Sequence, residues 1–334
     1  MNRRDWLTGG AAVAATTLAG CGPDDEEVIV RPEGVPVSPF DADSTAEQVT
    51  TGIDLSGKVA LITGANSGLG YETMRVLAQR GATVIAAART LEKAREAAAT
   101  VQGTIIPVAI ELTDFPGIVT GTDTVRALGL PIDMLILNAG IMALPQLEQV
   151  NGLEKQFVTN HLGHFIVGNR LLPQVQAAPQ GRVVVLTSSG YKWAPPGGIE
   201  FDNLSGERAY EPNKMYGQSK LANHLFVREL ARRLQGTAAT ANSVHPGVIL
   251  TNLGRHFPEW QIFIARFIGW TFMKSVEAGA ATTCHVAAAP SLAAVRGHYF
   301  ADCNAEVPGG EMQNDALAAK LWQVSEEITG AYLA

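Results

Sequence analysis

The chain has 334 residues and a formal net charge of −7, with 46% hydrophobic and 17% charged residues. This length can bury the core of one large α/β domain or two ordinary ones, and the high apolar content excludes a disordered chain. Phosphates are bound by clustered Lys and Arg, and no basic cluster follows Arg4, so the composition argues against a nucleic-acid-binding protein.

The first 20 residues have the pattern of a signal peptide, in which the positive Arg3-Arg4 pair precedes a short apolar stretch. Residues 2–7 resemble the twin-arginine export signal, and residues 18–21 resemble a bacterial lipobox, after which Cys21 would carry a lipid. The resemblance implies a protein that is exported and lipid-anchored to the membrane of the bacterial cell envelope. If the signal is not used, the protein is cytoplasmic, and a frayed N-terminal helix is the alternative reading.

Residues 21–54 contain several prolines and no long apolar periodicity, which predicts a tether that lies along or away from the body of the protein. Two cysteines remain beyond Cys21, too few for a disulfide framework. We expect Cys284 and Cys303 to be small buried side chains, and a single bridge between them stays open in an oxidising compartment.

From Leu55 onward, apolar runs of strand length alternate with helical patterns. Nearly continuous apolar strands suit a parallel sheet that is covered by helices on both faces. The pattern predicts one α/β domain over residues 55–334, a doubly wound Rossmann sheet of about seven strands. The predicted strands are Val59 to Thr63, Thr83 to Ala88, Thr104 to Ile110, Met134 to Leu137, Arg182 to Leu186, Ala239 to Val244 and Gly297 to Phe300.

A glycine-rich segment, Thr63 to Gly70, lies between the first predicted strand and the helical run Tyr71 to Arg80. Glycines there permit a tight turn and a close approach of backbone N–H groups to a pyrophosphate, although an ordinary strand-to-helix turn is the alternative. The spacing Gly-x-x-x-Gly-x-Gly resembles the cofactor loop of the short-chain dehydrogenase/reductase family. The resemblance implies the cofactor-binding residues Gly64, Asn66, Ser67, Gly68, Leu69 and Gly70.

The second strand ends at Arg89, and no acidic residue stands where a carboxylate would bind the ribose 2′-OH of NAD. A guanidinium favours a 2′-phosphate, so we predict NADP rather than NAD, with Asn66 and Ser67 assisting and a solvated arginine as the alternative. The family resemblance further places Glu111-Leu112 near the adenine, with Glu where the family has Asp. It also places Asn138-Ala139-Gly140 beside the cofactor.

Tyr216 and Lys220 lie four residues apart in a helical stretch and therefore share one face. A phenol can exchange protons near neutral pH only if its phenolate is stabilised, and a neighbouring ammonium does this. The fifth strand runs into Ser188 and Ser189, which puts hydroxyls at the carboxyl end of the sheet. The resemblance implies that Ser188 orients the substrate carbonyl and that Asn160 anchors a proton-relay water.

His161 and His164 are three residues apart, but no third ligand or carboxylate accompanies them, so we predict structural roles and no metal. After the sixth strand, Pro246-Gly247-Val248 resembles the family turn that borders the nicotinamide. In the family a later threonine, here Thr251, holds the nicotinamide carboxamide.

The resemblance covers residues 53–330, and the segments Asn160 to Phe165, Tyr216 to Asn223 and Leu321 to Glu327 are similar to the retinol-dehydrogenase and protochlorophyllide-reductase-like branch. It implies an NADP-dependent oxidoreductase that interconverts an alcohol and a carbonyl. In this mechanism Lys220 lowers the pKa of Tyr216.

Residues 257–273 hold six aromatic side chains and predict a lipophilic small-molecule substrate, with core helices or a lipid-facing surface as alternatives. The competing functions are a catalytically idle dinucleotide-binding redox sensor or assembly partner, and a reductase of ring double bonds. A homo-oligomer is left open.

Overall fold

The computed structural model describes residues 29–249 and 274–334. The predictions for the signal peptide, for Cys21, for Thr251 and for residues 257–273 lie outside these ranges. Within the described ranges, no helix has both the length and the apolar content that crossing a bilayer requires.

An eight-stranded sheet forms the centre of the protein, in the order β8-β7-β6-β5-β4-β1-β2-β3. All neighbouring strands pair in parallel except β7 and β8. The predicted Rossmann-like α/β fold is therefore confirmed, with one additional antiparallel strand at the edge. The strands are β1 Val59–Thr63, β2 Thr83–Ala88, β3 Ile105–Ala109, β4 Met134–Leu137, β5 Arg182–Leu186, β6 Thr240–His245, β7 Tyr299–Ala301 and β8 Asn304–Glu306.

Helices cover both faces of the sheet, as continuous apolar strands require. The helices are α1 Ala46–Val49, α2 Gly68–Gln79, α3 Leu91–Ala98, α4 Phe115–Arg126, α5 Lys155–Phe157, α6 Gly163–Ala177, α7 Pro212–Arg233, α8 Val276–Gly279, α9 Ala281–Ala288 and α10 Asp315–Thr329. Side chains of α4, α6, α7 and α10 form the apolar core on one face, and those of α1, α2 and α9 form the core on the other. A short π-helix, Val158–Leu162, joins α5 to α6.

The packed body begins before Leu55. Helix α1 has a reciprocal cap in which the Thr45 and Gln48 side chains each accept a hydrogen bond from the other's backbone N–H, and Val49 is buried against the core. Further upstream, the Asn304 amide on β8 donates to the Phe40 carbonyl. Residues 31–54, which the sequence predicts as a tether, thus belong to the same compact unit as the sheet.

The β7 to β8 turn explains why the eighth strand was not predicted. Asp302 and Cys303 occupy it with φ values of 48° and 60°, a left-handed pair that reverses the chain in two residues. The strand that follows has only three residues, two of them polar. Cys303 and Cys284 are both buried and both free.

The strand order fixes the position of the ligand site. Strand β1 lies between β2 and β4, so the chain runs outward in opposite directions on its two sides. In such sheets ligands bind outside the carboxyl ends of the strands, at the point where the order reverses. The residues that follow β1, β4 and β5 meet there.

Candidate active site

A cleft opens at the carboxyl end of the sheet and brings together most of the predicted site residues. Its lining includes the predicted residues Gly64, Asn66, Ser67, Gly68, Leu69, Gly70, Arg89, Glu111, Leu112, Asn138, Ala139, Gly140, Tyr216, Lys220 and Pro246. Sequence reasoning did not assign a role to the lining residues Thr63, Ile110, Ile141, Met142, Thr159, Leu186 and Thr187. The predicted residues Asn160, Ser188, Gly247 and Val248 are not part of this lining, and Thr251 lies outside the described residues.

The glycine segment forms a cradle, and its glycine positions leave no room for a side chain. A Cβ on Gly70 would lie 2.4 Å from the Gly64 carbonyl oxygen and 2.5 Å from Nδ2 of Asn138. Gly64 itself has a φ of +68°, in the left-handed region that glycine tolerates. The backbone of the turn can therefore come close to a ligand at the start of α2, where N–H groups favour phosphate.

Arg89 stands exposed on the rim of the cleft, directly after β2. Its guanidinium has no hydrogen bond or ion pair within residues 29–249 and 274–334. Glu111, the carboxylate across this end of the cleft, accepts bonds from the Thr113 backbone N–H at 3.2 Å and hydroxyl at 3.0 Å. Arg89 is thus available to an anionic ligand.

Tyr216 is buried on α7, with 4% of its surface exposed. Burial raises the pKa of its phenol to about 12, and a hydrogen bond with the Ser188 side chain acts in the opposite direction. Gly190 packs closely against the ring, since a Cβ there would lie 2.9 Å from Cε1 of Tyr216. Ser188 thus acts on the phenol against the effect of burial.

Lys220 is one helical turn further along α7 and is also buried. Its ammonium nitrogen lies 5.7 Å from the Tyr216 ring centroid and donates to the Leu186 carbonyl at 3.2 Å. Burial lowers the pKa of this ammonium to about 8. Lys220 therefore carries a positive charge at pH 7 and lies one helical turn from the phenol, and its predicted effect on the Tyr216 pKa stays a prediction.

Asn160 lies in the π-helix, and its side chain is fully buried. The amide accepts from the Ile141 N–H and donates to the Ile141 carbonyl, both at 2.9 Å, and its second donor reaches the Ser219 hydroxyl at 2.9 Å. Ser219 in turn donates to the Tyr216 carbonyl at 2.7 Å. The side chain predicted to anchor a water thus ties the β4 loop to the helix of Tyr216, a role that the sequence did not reveal.

The imidazoles of the two histidines in this region form hydrogen bonds within the core. His161 meets the Ser325 hydroxyl at 2.8 Å, and His164 meets the Thr63 hydroxyl at 2.9 Å. Burial lowers the pKa of each imidazole to about 3, so both are neutral. Across the described ranges, no group of three His, Cys, Asp or Glu side chains is placed to hold a metal ion.

The turn after β6 borders the cleft through Pro246. Gly247 has a φ of +86°, and a Cβ there would lie 2.7 Å from Cδ of Lys274. Val248 is 55% exposed. His245 accepts a bond from the Ser189 backbone N–H at 3.3 Å, which connects this turn to the segment that carries Ser188.

Comparisons with known proteins agree with this geometry. The family model described as short chain dehydrogenase matches residues 58–262. Retinol dehydrogenase 14 of Homo sapiens is 39% identical over 297 residues, which cover 83% of this chain and 87% of that protein. Short-chain dehydrogenase TIC 32 B, chloroplastic, of Brassica napus is 39% identical over 303 residues, covering 87% of this chain and 94% of that protein.

Solved structures share the fold. A crystal structure of an uncharacterized protein from Mycobacterium paratuberculosis has a TM-score of 0.68 and 34% identity, covering 84% of this chain and 97% of that one. A Pseudomonas aeruginosa RhlG/NADP complex has a TM-score of 0.59 at 24% identity, covering 74% and 95%. From the family match and the identity to the two relatives, the chain belongs to the short-chain dehydrogenase family of oxidoreductases.

Proposed function

We propose that the protein interconverts an alcohol and a carbonyl, with NADP as the cofactor. The observation that carries this proposal is that Tyr216 and Lys220 lie one helical turn apart and both line the cleft beside the glycine cradle. The Ser188 side chain also acts on this phenol, since it lowers the Tyr216 pKa. A protein that only binds a dinucleotide needs the cradle but not a buried phenol and ammonium in this position. The 39% identity to a retinol dehydrogenase supports the same class of reaction.

The residues of the cleft fit a nicotinamide dinucleotide. The cradle at Gly64 and Gly70 leaves the space that a pyrophosphate needs, and the unpaired guanidinium of Arg89 suits a 2′-phosphate. The Lys220 ammonium, near the far end of the same cleft, would bind the nicotinamide ribose. When bound, the nicotinamide gives or takes the hydride, and the protein supplies placement and proton exchange.

The proton is expected to reside on Tyr216 at neutral pH, because burial holds the pKa of its phenol at about 12. Tyr216 is therefore ready to donate a proton to the oxygen of a carbonyl substrate. We assign the orientation of that oxygen to Ser188, whose side chain lowers the pKa of the same phenol.

The substrate that we propose is a lipophilic alcohol, aldehyde or ketone. Trp193, which follows the Ser188 segment, is 48% exposed, and its ring centroid lies 6.2 Å from that of Tyr216. Ile141 and Met142 add partly exposed apolar surface to the cleft. An apolar substrate would cover these side chains and remove them from water.

The substitution Tyr216→Phe tests the proposal. We expect NADPH-dependent reduction of lipophilic aldehydes and ketones to fall by a factor of about 10² to 10⁴, which is the usual contribution of a positioned general acid. NADP affinity, measured by calorimetry, should stay unchanged because the cradle is intact. Tyr210→Phe is the matched control, since it also removes a hydroxyl with a pKa raised to about 12, one that donates instead to the Leu144 carbonyl at 2.7 Å.

Three outcomes separate the competing functions. Full activity of the Tyr216→Phe variant would exclude the proposed proton transfer. NADP binding by the wild-type chain without turnover of any alcohol or carbonyl would favour the idle dinucleotide-binding protein. A product with a reduced ring double bond, identified by mass spectrometry, would favour the reductase of ring double bonds.

We also propose, from the sequence resemblance of the N-terminus, that the mature protein begins at Cys21 and is lipid-anchored in the cell envelope. Mass spectrometry of the membrane fraction should show a lipid-modified Cys21 and no peptide from residues 1–20. An intact Met1 on the membrane-bound protein would contradict this.

A further inference from the structure

His164 joins two segments that line the cleft. It is 1% exposed on the first turn of α6. Its Nδ1 is 3.0 Å from the carbonyl oxygen of Asn160, and its Nε2 is 2.9 Å from the hydroxyl of Thr63, the last residue of β1. One imidazole therefore contacts both the strand that leads into the glycine cradle and the π-helix that carries Asn160.

The hydrogen bonds determine the tautomer of this imidazole. A carbonyl oxygen can only accept, so Nδ1 of His164 must carry a proton. The imidazole is neutral, because burial lowers its pKa to about 3, and Nε2 is therefore an acceptor. The Thr63 hydroxyl donates to it.

The Thr63 hydroxyl fixes the cofactor side of the cleft in turn. Its oxygen accepts from the backbone N–H groups of Asn138 at 2.9 Å and Ala139 at 3.0 Å. Asn138 also donates from its side chain to the Thr63 carbonyl at 2.8 Å. The ends of β1 and β4 are thus joined through one hydroxyl, whose single proton is directed to His164.

The other side of His164 acts on Asn160. Both protons of the Asn160 amide and one position of its oxygen are already used by Ile141 and Ser219. The backbone carbonyl of Asn160, which accepts from His164, is a separate acceptor from the side-chain oxygen. It belongs to the π-helix Val158–Leu162. The Nδ1–H of His164 donates to that carbonyl.

We propose that His164 is a positioning residue with two separable effects, in which Nε2 holds the cofactor-binding ends of β1 and β4 and Nδ1–H holds the carbonyl of Asn160, the residue that ties the β4 loop to the helix of Tyr216. The inference rests on the proposed function in one respect, since the Nδ1 effect is read out in turnover. The Nε2 effect is read out in cofactor binding alone.

A pair of isosteric substitutions separates the two effects. In His164→Asn, the amide nitrogen takes the place of Nδ1 and can donate to the Asn160 carbonyl, whereas the bond to Thr63 is lost. In His164→Gln, the amide oxygen reaches the place of Nε2 and can accept from Thr63, whereas the bond to Asn160 is lost. His161→Asn and His161→Gln are the matched controls, because His161 is equally buried on the same helical segment but pairs with Ser325.

We expect His164→Asn to raise the NADP dissociation constant by about threefold to tenfold, the range of one net hydrogen bond, with kcat unchanged. We expect His164→Gln to lower kcat by a similar factor, with the NADP dissociation constant unchanged. The His161 variants should lower the melting temperature without changing either constant. If the two His164 variants alter both constants equally, or neither, the proposal of separable effects is wrong.

Nuclear magnetic resonance of the imidazole nitrogens in the wild-type protein tests the geometry independently of turnover. A neutral ring protonated at Nδ1, with no titration between pH 8 and pH 5, supports the proposal. A ring protonated at Nε2, or one that titrates near pH 6.5, would overturn it. If the wild-type protein turned over no substrate, the proposed function would fail, whereas the spectrum and the NADP affinities would still test His164.

Discussion

Replacing Arg89 is expected to remove the proposed preference for NADP over NAD. The side chain projects from the end of β2 and has no partner in the described chain, so its loss should leave the fold unchanged. A charge-assisted hydrogen bond contributes about 1.5 to 3 kcal/mol. Because Arg89 is exposed, water screens the interaction, and we expect the lower end, which is roughly a tenfold loss of NADP affinity in Arg89→Ala.

Calorimetric titration with NADP and NAD measures the effect directly. NAD has no 2′-phosphate, so its dissociation constant should not change in Arg89→Ala. Lys93→Ala is the control, because it removes one positive charge from an exposed position of α3 that does not line the cleft. Raising the ionic strength should reduce the wild-type preference for NADP, since salt screens an exposed charge pair.

Two results would refute this reasoning. If Arg89→Ala weakened the binding of NADP and of NAD equally, Arg89 would contact a chemical group that both cofactors share. If Lys93→Ala weakened NADP as much as Arg89→Ala, the effect would come from net charge and would not depend on the position of the guanidinium at the rim.

The substitution Gly70→Ala should abolish dinucleotide binding, because its Cβ would lie 2.4 Å from the Gly64 carbonyl, whereas Gly309→Ala, in open space, should have no effect on the measured affinity. Acid should destabilise the fold: three buried histidines have folded pKa values of about 3, so the stability that they contribute is present above pH 6.5 and is lost as the pH falls. Urea unfolding at pH 7 and pH 5 should differ by about 2 kcal/mol for each histidine, and equal free energies of unfolding would contradict this. The three are His161, His164 and His224.

The central strands could be predicted because their apolar runs are continuous and bounded by glycine or polar residues. Strands Val59–Thr63 and Arg182–Leu186 have the predicted bounds, because every residue in both is buried. Strand β8 could not be predicted, because it exists only through pairing with β7 after a two-residue turn. Its sequence, Asn-Ala-Glu, contains no apolar periodicity.

The cradle and the pair Tyr216 and Lys220 were visible in the sequence because local backbone geometry fixes them. A turn that requires glycine, and a pair of residues four apart on a helix, can both be recognised from the local sequence without knowledge of distant segments. The role of the Asn160 side chain was not visible, because Ile141 and Ser219 come from two other elements. The same holds for the pKa of Tyr216, since burial is a property of the packed protein and the sequence shows only the neighbouring ammonium.

Burial shifts the pKa values of the two titrating groups of the site toward their neutral forms. Burial raises the pKa of the Tyr216 phenol to about 12 and lowers the pKa of the Lys220 ammonium to about 8, so desolvation acts against the charged form of each. A phenol that keeps its proton can donate it at once to a carbonyl oxygen, whereas removal of a proton from an alcohol would first require the phenolate. At pH 7 the phenol therefore holds its proton, and the Lys220 ammonium, 5.7 Å from the ring centroid, is a positive charge that would stabilise the phenolate.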